Sequence, residues 1–188
     1  MGLVEESKEA ETILEFGTPR ENEQYTDGGC GIITDTTTQL YAVYKIPSGL
    51  TGLFSGGLKD GEEMRECVLR EVREESGLYD FAEVEYISRA HAHYYHVLKK
   101  INRVADVTCF FIKLRSNVTQ AHSREAHETF ELVWMTPIEI LQNWSKYGNI
   151  HNRGHWIYFL HKAVARTKEL GWDTETNIEK LKTVLLEK

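Results

Sequence analysis

The chain is 188 residues long with a formal charge of −7 and a pI near 5.6, so it carries no basic footprint for non-specific nucleic-acid binding. That length has room for one domain with a real core and appended helices. Its three cysteines, Cys30, Cys67 and Cys109, are odd in number and far apart, which excludes a disulfide framework. With no signal-like segment and no apolar run long enough for a bilayer, a cytoplasmic protein without membrane attachment is expected.

In chain order, residues 1–27 are polar and Glu-rich, predicting a poorly tied arm or a short edge element. Residues 28–34 and 40–46 are strand-like and joined by the polar turn Asp35-Thr36-Thr37-Thr38. A short strand over 53–55 leads into a Gly56-Gly57 turn and then a helix closed by Gly77. Residues 83–97 and 103–115 form a predicted long hairpin, with Lys99, Lys100, Ile101 and Asn102 near its turn. In its second strand Val107, Cys109 and Phe111 alternate with Thr108, Phe110 and Ile112. Both sets are fairly apolar, as in a central strand buried on two faces. A polar loop over 116–128 precedes a strand over 131–135. Thr136-Pro137-Ile138-Glu139 is a capping box with proline at the first helical position, starting a helix to about Trp144. Helices over about 151–170 and 174–187 follow, with Trp156, Ile157, Leu160 and Val164 on one side of the first and Ile178, Leu181 and Leu185 on the second. Trp144, Trp156 and Trp172 leave two roles open for these helices, a homodimer surface or a cover for the sheet.

The segment 56–78, GGLKDGEEMRECVLREVREESGL, carries the strongest signal. Asp60 suits the N-cap with Glu63 at N3, Gly77 suits the left-handed residue that ends a helix, and Val68, Leu69 and Val72 form its apolar side. Glu71, Glu74 and Glu75 then sit at i, i+3 and i+4, with Cβ atoms roughly 5–6 Å apart on one face. Like charges so placed destabilise an isolated helix, and the crowding makes sense if hard divalent cations sit among the carboxylates. A solvated, charge-laced surface helix accounts for Arg70, Arg73 and Glu66, but not for three acidic residues on one face beside paired glycines.

These residues resemble the Nudix box, G-x5-E-x7-R-E-U-x-E-E-x-G-U with U aliphatic. Gly56, Glu62, Arg70, Glu71, Val72, Glu74, Glu75, Gly77 and Leu78 fill every fixed position. In many members the second glycine of the pair opens the box, whereas here the first, Gly56, gives the spacing. The resemblance covers roughly residues 28–165. It implies the α/β class: a Nudix-type α/β/α sandwich with a central mixed β-sheet and additional C-terminal helices. The chain would divide into an arm over 1–27, a Nudix domain over 28–170 and a C-terminal helix over 171–188. The resemblance also implies Mg²⁺ or Mn²⁺ held by Glu71, Glu74 and Glu75 with Gly56. Arg70 would orient a box glutamate and Glu62 would support the helix start. Such ions invert the local charge, polarise phosphoryl oxygens and lower the pKa of bound water.

Members of this family take their general base from the box or from a loop before a late Trp-bearing strand. Glu74 and Glu75 fit the first pattern. Glu128, in the His127-Glu128 pair ahead of Trp134, fits the second and is also a candidate metal ligand, with Glu131 as its competitor. Substrates of the family are small-molecule nucleotides: nucleoside diphosphates linked to another group. Tyr94 and Tyr95 resemble the tyrosine found in members that cleave dinucleoside polyphosphates, where base stacking is worth about 1–3 kcal/mol. Strand aromatics also commonly just fill a sheet face. Arg103, with Lys99 and Lys100, would steer a polyphosphate. His91 and His93 read as surface or pocket-edge residues, without the third ligand of a zinc site. The proline that tends to mark the ADP-ribose subclass is missing, since the chain has only Pro19, Pro47 and Pro137. The expected function is a divalent-metal-dependent pyrophosphohydrolase leaning to dinucleoside polyphosphates. An ADP-ribose or NDP-sugar pyrophosphatase, a hydrolase that cleanses the NTP pool, and a non-catalytic nucleotide-sensing or partner-binding module stand as alternatives.

Overall fold

The apolar strand after the hairpin turn organises the molecule. In a computed structural model that describes residues 12–96, 99–121, 130–147 and 153–172, this strand is β7 (Ile101–Leu114). Cys109 and Phe111 enter the core on one face of the sheet, and Phe110 and Ile112 enter the core on the other. β7 pairs antiparallel with β6 (Phe81–His96) and parallel with β2 (Gln24–Asp35), whose Cys30 lies opposite Cys109. The far edge of β2 is shared. Gly28 to Gly31 pair with β5 (Phe54–Gly57), and Ile33 to Asp35 pair with β3 (Leu40–Lys45). β3 also takes β4 (Thr51–Gly52) and β8 (Glu131–Met135), and β1 (Leu14–Phe16) runs parallel to β6 at the opposite edge.

Helix α1 (Met64–Ser76) buries Val68, Leu69 and Val72 on one face of this mixed sheet. Helices α2 (Pro137–Tyr147) and α3 (Gly154–Glu169) cover the other, giving an α/β/α sandwich. α2 opens on the reciprocal bonds of its capping box: Thr136 N–H donates to Glu139 Oε2 at 2.8 Å and Glu139 N–H to Thr136 Oγ1 at 3.3 Å. Its Trp144 is fully buried, donates Nε1–H to the Thr51 carbonyl at 3.1 Å and meets the Trp156 ring at 5.7 Å. Trp172 packs edge-on to Tyr41. These tryptophans cover the sheet. Among the described residues no helix is long and apolar enough to cross a membrane.

Several sequence expectations need correction. Gly56 and Gly57 are not a turn; they complete β5 opposite Gly29 and Gly28, and the chain turns later, where Gly61 takes φ +75°. Asp60 and Glu63 do not form a capping box. The Glu62 carboxylate takes the Lys59 N–H, so the loop closes on itself, and α1 starts only after Glu63, which makes no side-chain cap bond. Of the two readings of the N-terminal segment the structure shows the short edge element, β1, from Leu14 to Phe16, so this expectation needs no correction. His93 is not at a pocket edge: it is buried, with Nε2 and Nδ1 each 2.8 Å from the carboxylates of Glu15 and Glu23, and so ties the arm to β6. The helix expected over 174–187 lies outside the described residues.

Trp144 packs the second layer onto the sheet, so Trp144→Ala is expected to lower unfolding free energy by about 3–5 kcal/mol. Urea denaturation followed by circular dichroism checks this, and a decrease under about 1 kcal/mol would contradict the packing role.

Candidate functional site

α1 presents its acidic face over β5, and one guanidinium organises that face. Arg70 Nε and Nη2 donate to the two oxygens of Glu62 at 2.7 and 3.0 Å. Its Nη1 donates to Glu71 at 2.5 Å and to Glu74 at 3.2 Å, and Nη2 reaches the Gly57 carbonyl at 3.3 Å. Arg70 therefore joins the loop before α1, strand β5 and two box carboxylates. The bidentate bond from Arg70 holds the Glu62 carboxyl down to about 2. Arg70 itself is held more firmly protonated by the same carboxylates.

The glutamates divide by environment. Glu71 and Glu75 line a cleft of about 1080 Å³, whereas Glu74 stands outside it, 43% exposed, on Arg70. Glu75 is buried and accepts the Ser55 N–H at 3.2 Å. Burial pushes the Glu71 carboxyl above its ordinary value against the pull of Arg70. Gly56 lies directly beneath Glu71, and a methyl group there would collide with that carboxyl. At the other end of the helix Gly77 takes φ +76°, and its N–H donates to the Arg73 carbonyl at 3.0 Å.

Among the described residues no three acidic, histidine or cysteine side chains converge as a ready metal cage. The donor set nevertheless suits a hard divalent ion. Glu71 and Glu75 supply carboxylate oxygens, Gly56 lies close beneath one of them, and the burial cost on Glu71 is the cost that a bound cation would relieve. Glu128 and His127 lie outside the described residues. Glu131, at the start of β8, is 4.0 Å from Lys45 with most of its side chain exposed, and it does not line the cleft.

Tyr94, Tyr95, Lys99 and Arg103, from the β6–β7 hairpin, line the same cleft as Glu71 and Glu75. Lys100 does not. Arg103 Nε is a buried donor with no hydrogen-bond partner among the described residues. Burial, followed by the charges of Arg103 and Lys99, pushes the neighbouring His96 below its ordinary value. The hairpin end of the cleft is therefore cationic and the α1 side anionic.

Further lining residues carry no motif in the sequence. Tyr44 of β3 stacks on Phe130 with ring centroids 4.6 Å apart. Its phenol is pushed up to about 12 by burial and then by Glu75. Arg153, His155 and Trp156 enter from the start of α3. The sole local sign of this group is a cation and two rings at the head of a helix.

A family model described as NUDIX domain matches residues 27–148. No curated protein matches the chain. Among solved structures, the chain is similar to the MutT protein from Methanosarcina mazei Go1, at 15% identity and TM-score 0.54, over 79% of this chain and 99% of that one. It is similar to a NUDIX hydrolase from Nitrosomonas europaea at 17% identity and TM-score 0.51, over 67% of this chain and 81% of that one. It is also similar to the NUDIX domain of Shewanella oneidensis NrtR in complex with ADP ribose, at 15% identity and TM-score 0.50, over 67% and 82% of the two chains. At these identities the structural likeness bears on the fold.

Because the folded Glu62 carboxyl lies near 2 and the ordinary value is 4.5, its ion pair contributes fully above about pH 4.5 and is lost as pH falls toward 2. In Arg70→Lys the fork is gone. Carboxyl-detected NMR titration is expected to show Glu62 moving up toward 4.5. An unmoved Glu62 would contradict the pairing.

Proposed function

This chain belongs to the Nudix hydrolase superfamily, enzymes that act on phosphorus-containing acid anhydrides and generally use divalent metal ions, and we propose that it cleaves a phosphoanhydride bond in a nucleoside diphosphate linked to another moiety. The observation that carries this reading is one cleft bordered by the box carboxylates Glu71 and Glu75, the cations Lys99 and Arg103, and the rings of Tyr94 and Tyr95. A nucleotide bridged through phosphates needs all three: a metal-binding edge, counter-charges and a stacking surface.

Glu71 and Glu75 would hold Mg²⁺ or Mn²⁺, with the Gly56 backbone beside them and Glu74 as a further ligand once released from Arg70. The bound ion supplies Lewis acidity toward a phosphoryl oxygen and a more acidic water. The chain's own residues do the rest. Arg70 sets the carboxylate of Glu71 in place, and Ser55 N–H fixes that of Glu75. Arg103 offers its guanidinium to a phosphate oxygen, and Tyr94 or Tyr95 stacks a base. The base that takes the water proton is a box glutamate, Glu74 or Glu75, or Glu128. The substrate we favour is a dinucleoside polyphosphate, because the hairpin tyrosines and cations sit together at one end of the cleft. ADP-ribose is the second reading, supported by the likeness to a NUDIX domain solved with ADP ribose.

Turnover of diadenosine tetraphosphate, ADP-ribose, an NDP-sugar and NTPs with Mg²⁺ or Mn²⁺ tests the proposal. Glu75→Gln is expected to lower kcat at least about 100-fold, the scale of a missing positioned catalytic group, while remaining folded. Near-wild-type turnover in that variant at low Mg²⁺ would sink the site assignment. In a separate measurement, millimolar Mg²⁺ is expected to raise the Tm of the wild-type protein by linkage and to leave Glu75→Gln nearly unmoved. Equal shifts in both would place the ion elsewhere. Alanine at Tyr94 or Tyr95 is expected to raise KM for adenine-containing substrates; no change in either would remove the stacking role.

A further inference from the structure

Beside Tyr44 and Phe130, one wall of the cleft is built by Arg153, His155 and Trp156, which lie beyond the segment that matches the family model, 27–148. Arg153 stands at the head of α3 with its guanidinium 4.9 Å from the Trp156 ring centroid. One of its N–H groups reaches the Thr51 carbonyl at 3.3 Å, which fixes the side chain to β4. Arg70, Arg89 and Arg166 each face carboxylates, but among the described residues no carboxylate lies within ion-pair distance of Arg153. Arg153 shares this with Arg103, the other half-buried arginine lining the cleft. Burial pushes the Arg153 guanidinium's pKa down, so the site carries a desolvation cost that an anion would offset. His155 beside it is pushed down to about 4 by burial and by Arg153, and so is neutral near pH 7. Tyr44, which feels both Arg153 and Glu75, places this wall next to the metal-binding edge.

We propose that Arg153, held over the Trp156 ring beside Tyr44, is an anion subsite that binds a phosphate group of the nucleotide, so that α3 takes part in substrate recognition. The subsite deepens the reading above and rests on it. It differs from the hairpin cations in source and in form. Lys99 and Arg103 come from β6–β7, within the matched segment, whereas Arg153 comes from the helix that follows it. A planar fork fixed by one carbonyl and one ring leaves donors free for phosphate oxygens in a set orientation. Neutral His155 adds a hydrogen-bonding edge without a second charge.

The experiment compares wild-type protein and Arg153→Gln, full chain, for binding of ADP and of adenosine by calorimetry with Mg²⁺ present, and then for kcat and KM on whichever substrate the wild type turns over. Removing a charge-assisted hydrogen bond to phosphate is expected to weaken ADP binding roughly 10- to 100-fold with adenosine affinity unchanged, and to raise KM with kcat within about threefold. Equal ADP affinity in the two proteins overturns the subsite. Equal weakening for ADP and adenosine also overturns it, since that would show a structural role. If Arg153→Gln does not fold, Arg153→Lys carries the test: it keeps the charge without the fork, and at least about threefold weaker ADP binding is expected, with unchanged affinity again overturning the subsite. Failure of the function proposal looks different. It is a wild-type protein that hydrolyses nothing in the panel, while the ADP comparison still decides the role of Arg153.

Discussion

A single guanidinium makes the acidic face of α1 compatible with folding. Glu71 and Glu74 are one turn or less from each other and from Glu75, and Glu62 is brought in from the preceding loop. Without a counter-charge that arrangement is repulsive. Arg70 meets three of the four and also the Gly57 carbonyl, so the same contact that lowers the repulsion fixes the position of β5 under the helix. A methyl group at Gly56 would then displace the Glu71 carboxyl from where Arg70 holds it. A divalent ion arriving at Glu71 and Glu75 would share Glu71 with Arg70. Glu71, whose charged form burial disfavours, would gain from such a cation.

The sheet explains why the cleft lies where it does. β2 changes partner along its length, from β5 at Gly28–Gly31 to β3 at Ile33–Asp35. The region around the β5 pairing is open to α1, to the hairpin and to the head of α3, and each contributes to the lining. The two apolar layers on either face of β7 hold this region rigid from beneath. The candidate side chains are therefore mounted chiefly on strands and helices whose own positions are fixed by burial.

The legible part of the sequence is the part governed by local rules. The alternation in 107–112 announces a strand buried on both faces, and Thr136 to Glu139 announces a helix start, because both signals are carried by neighbouring residues. The box is legible for the same reason: its spacing is a single helix face. Where a residue acts on something distant, reading it locally misleads. Glu63 reads as half of a capping box, but Glu62 is drawn to Arg70 and Lys59, and the helix starts beyond it. His93 reads as a pocket-edge residue until Glu15 and Glu23, about seventy residues away in sequence, come to both of its ring nitrogens. Tyr44 and Phe130 are invisible in the sequence, and Arg153 nearly so, because only the tertiary fold brings them to one wall.

Charge is the last point on which the parts agree. A protein of net charge −7 repels a polyphosphate, and with a Debye length of about 8 Å at physiological salt that repulsion is felt only within about that distance of the surface. Attraction must then be supplied inside the cleft, where screening by solvent is weakest. The cleft has two sources for it, Lys99 with Arg103 at the hairpin and Arg153 on α3, and a divalent ion held by Glu71 and Glu75 would be a third. None of the three duplicates another, because they border the cleft from different elements. A ligand with one phosphate could engage only part of this set, and a ligand with phosphates bridging two moieties could engage all of it. That layout of charge is the physical ground on which we propose an extended, bridged nucleotide over a compact one.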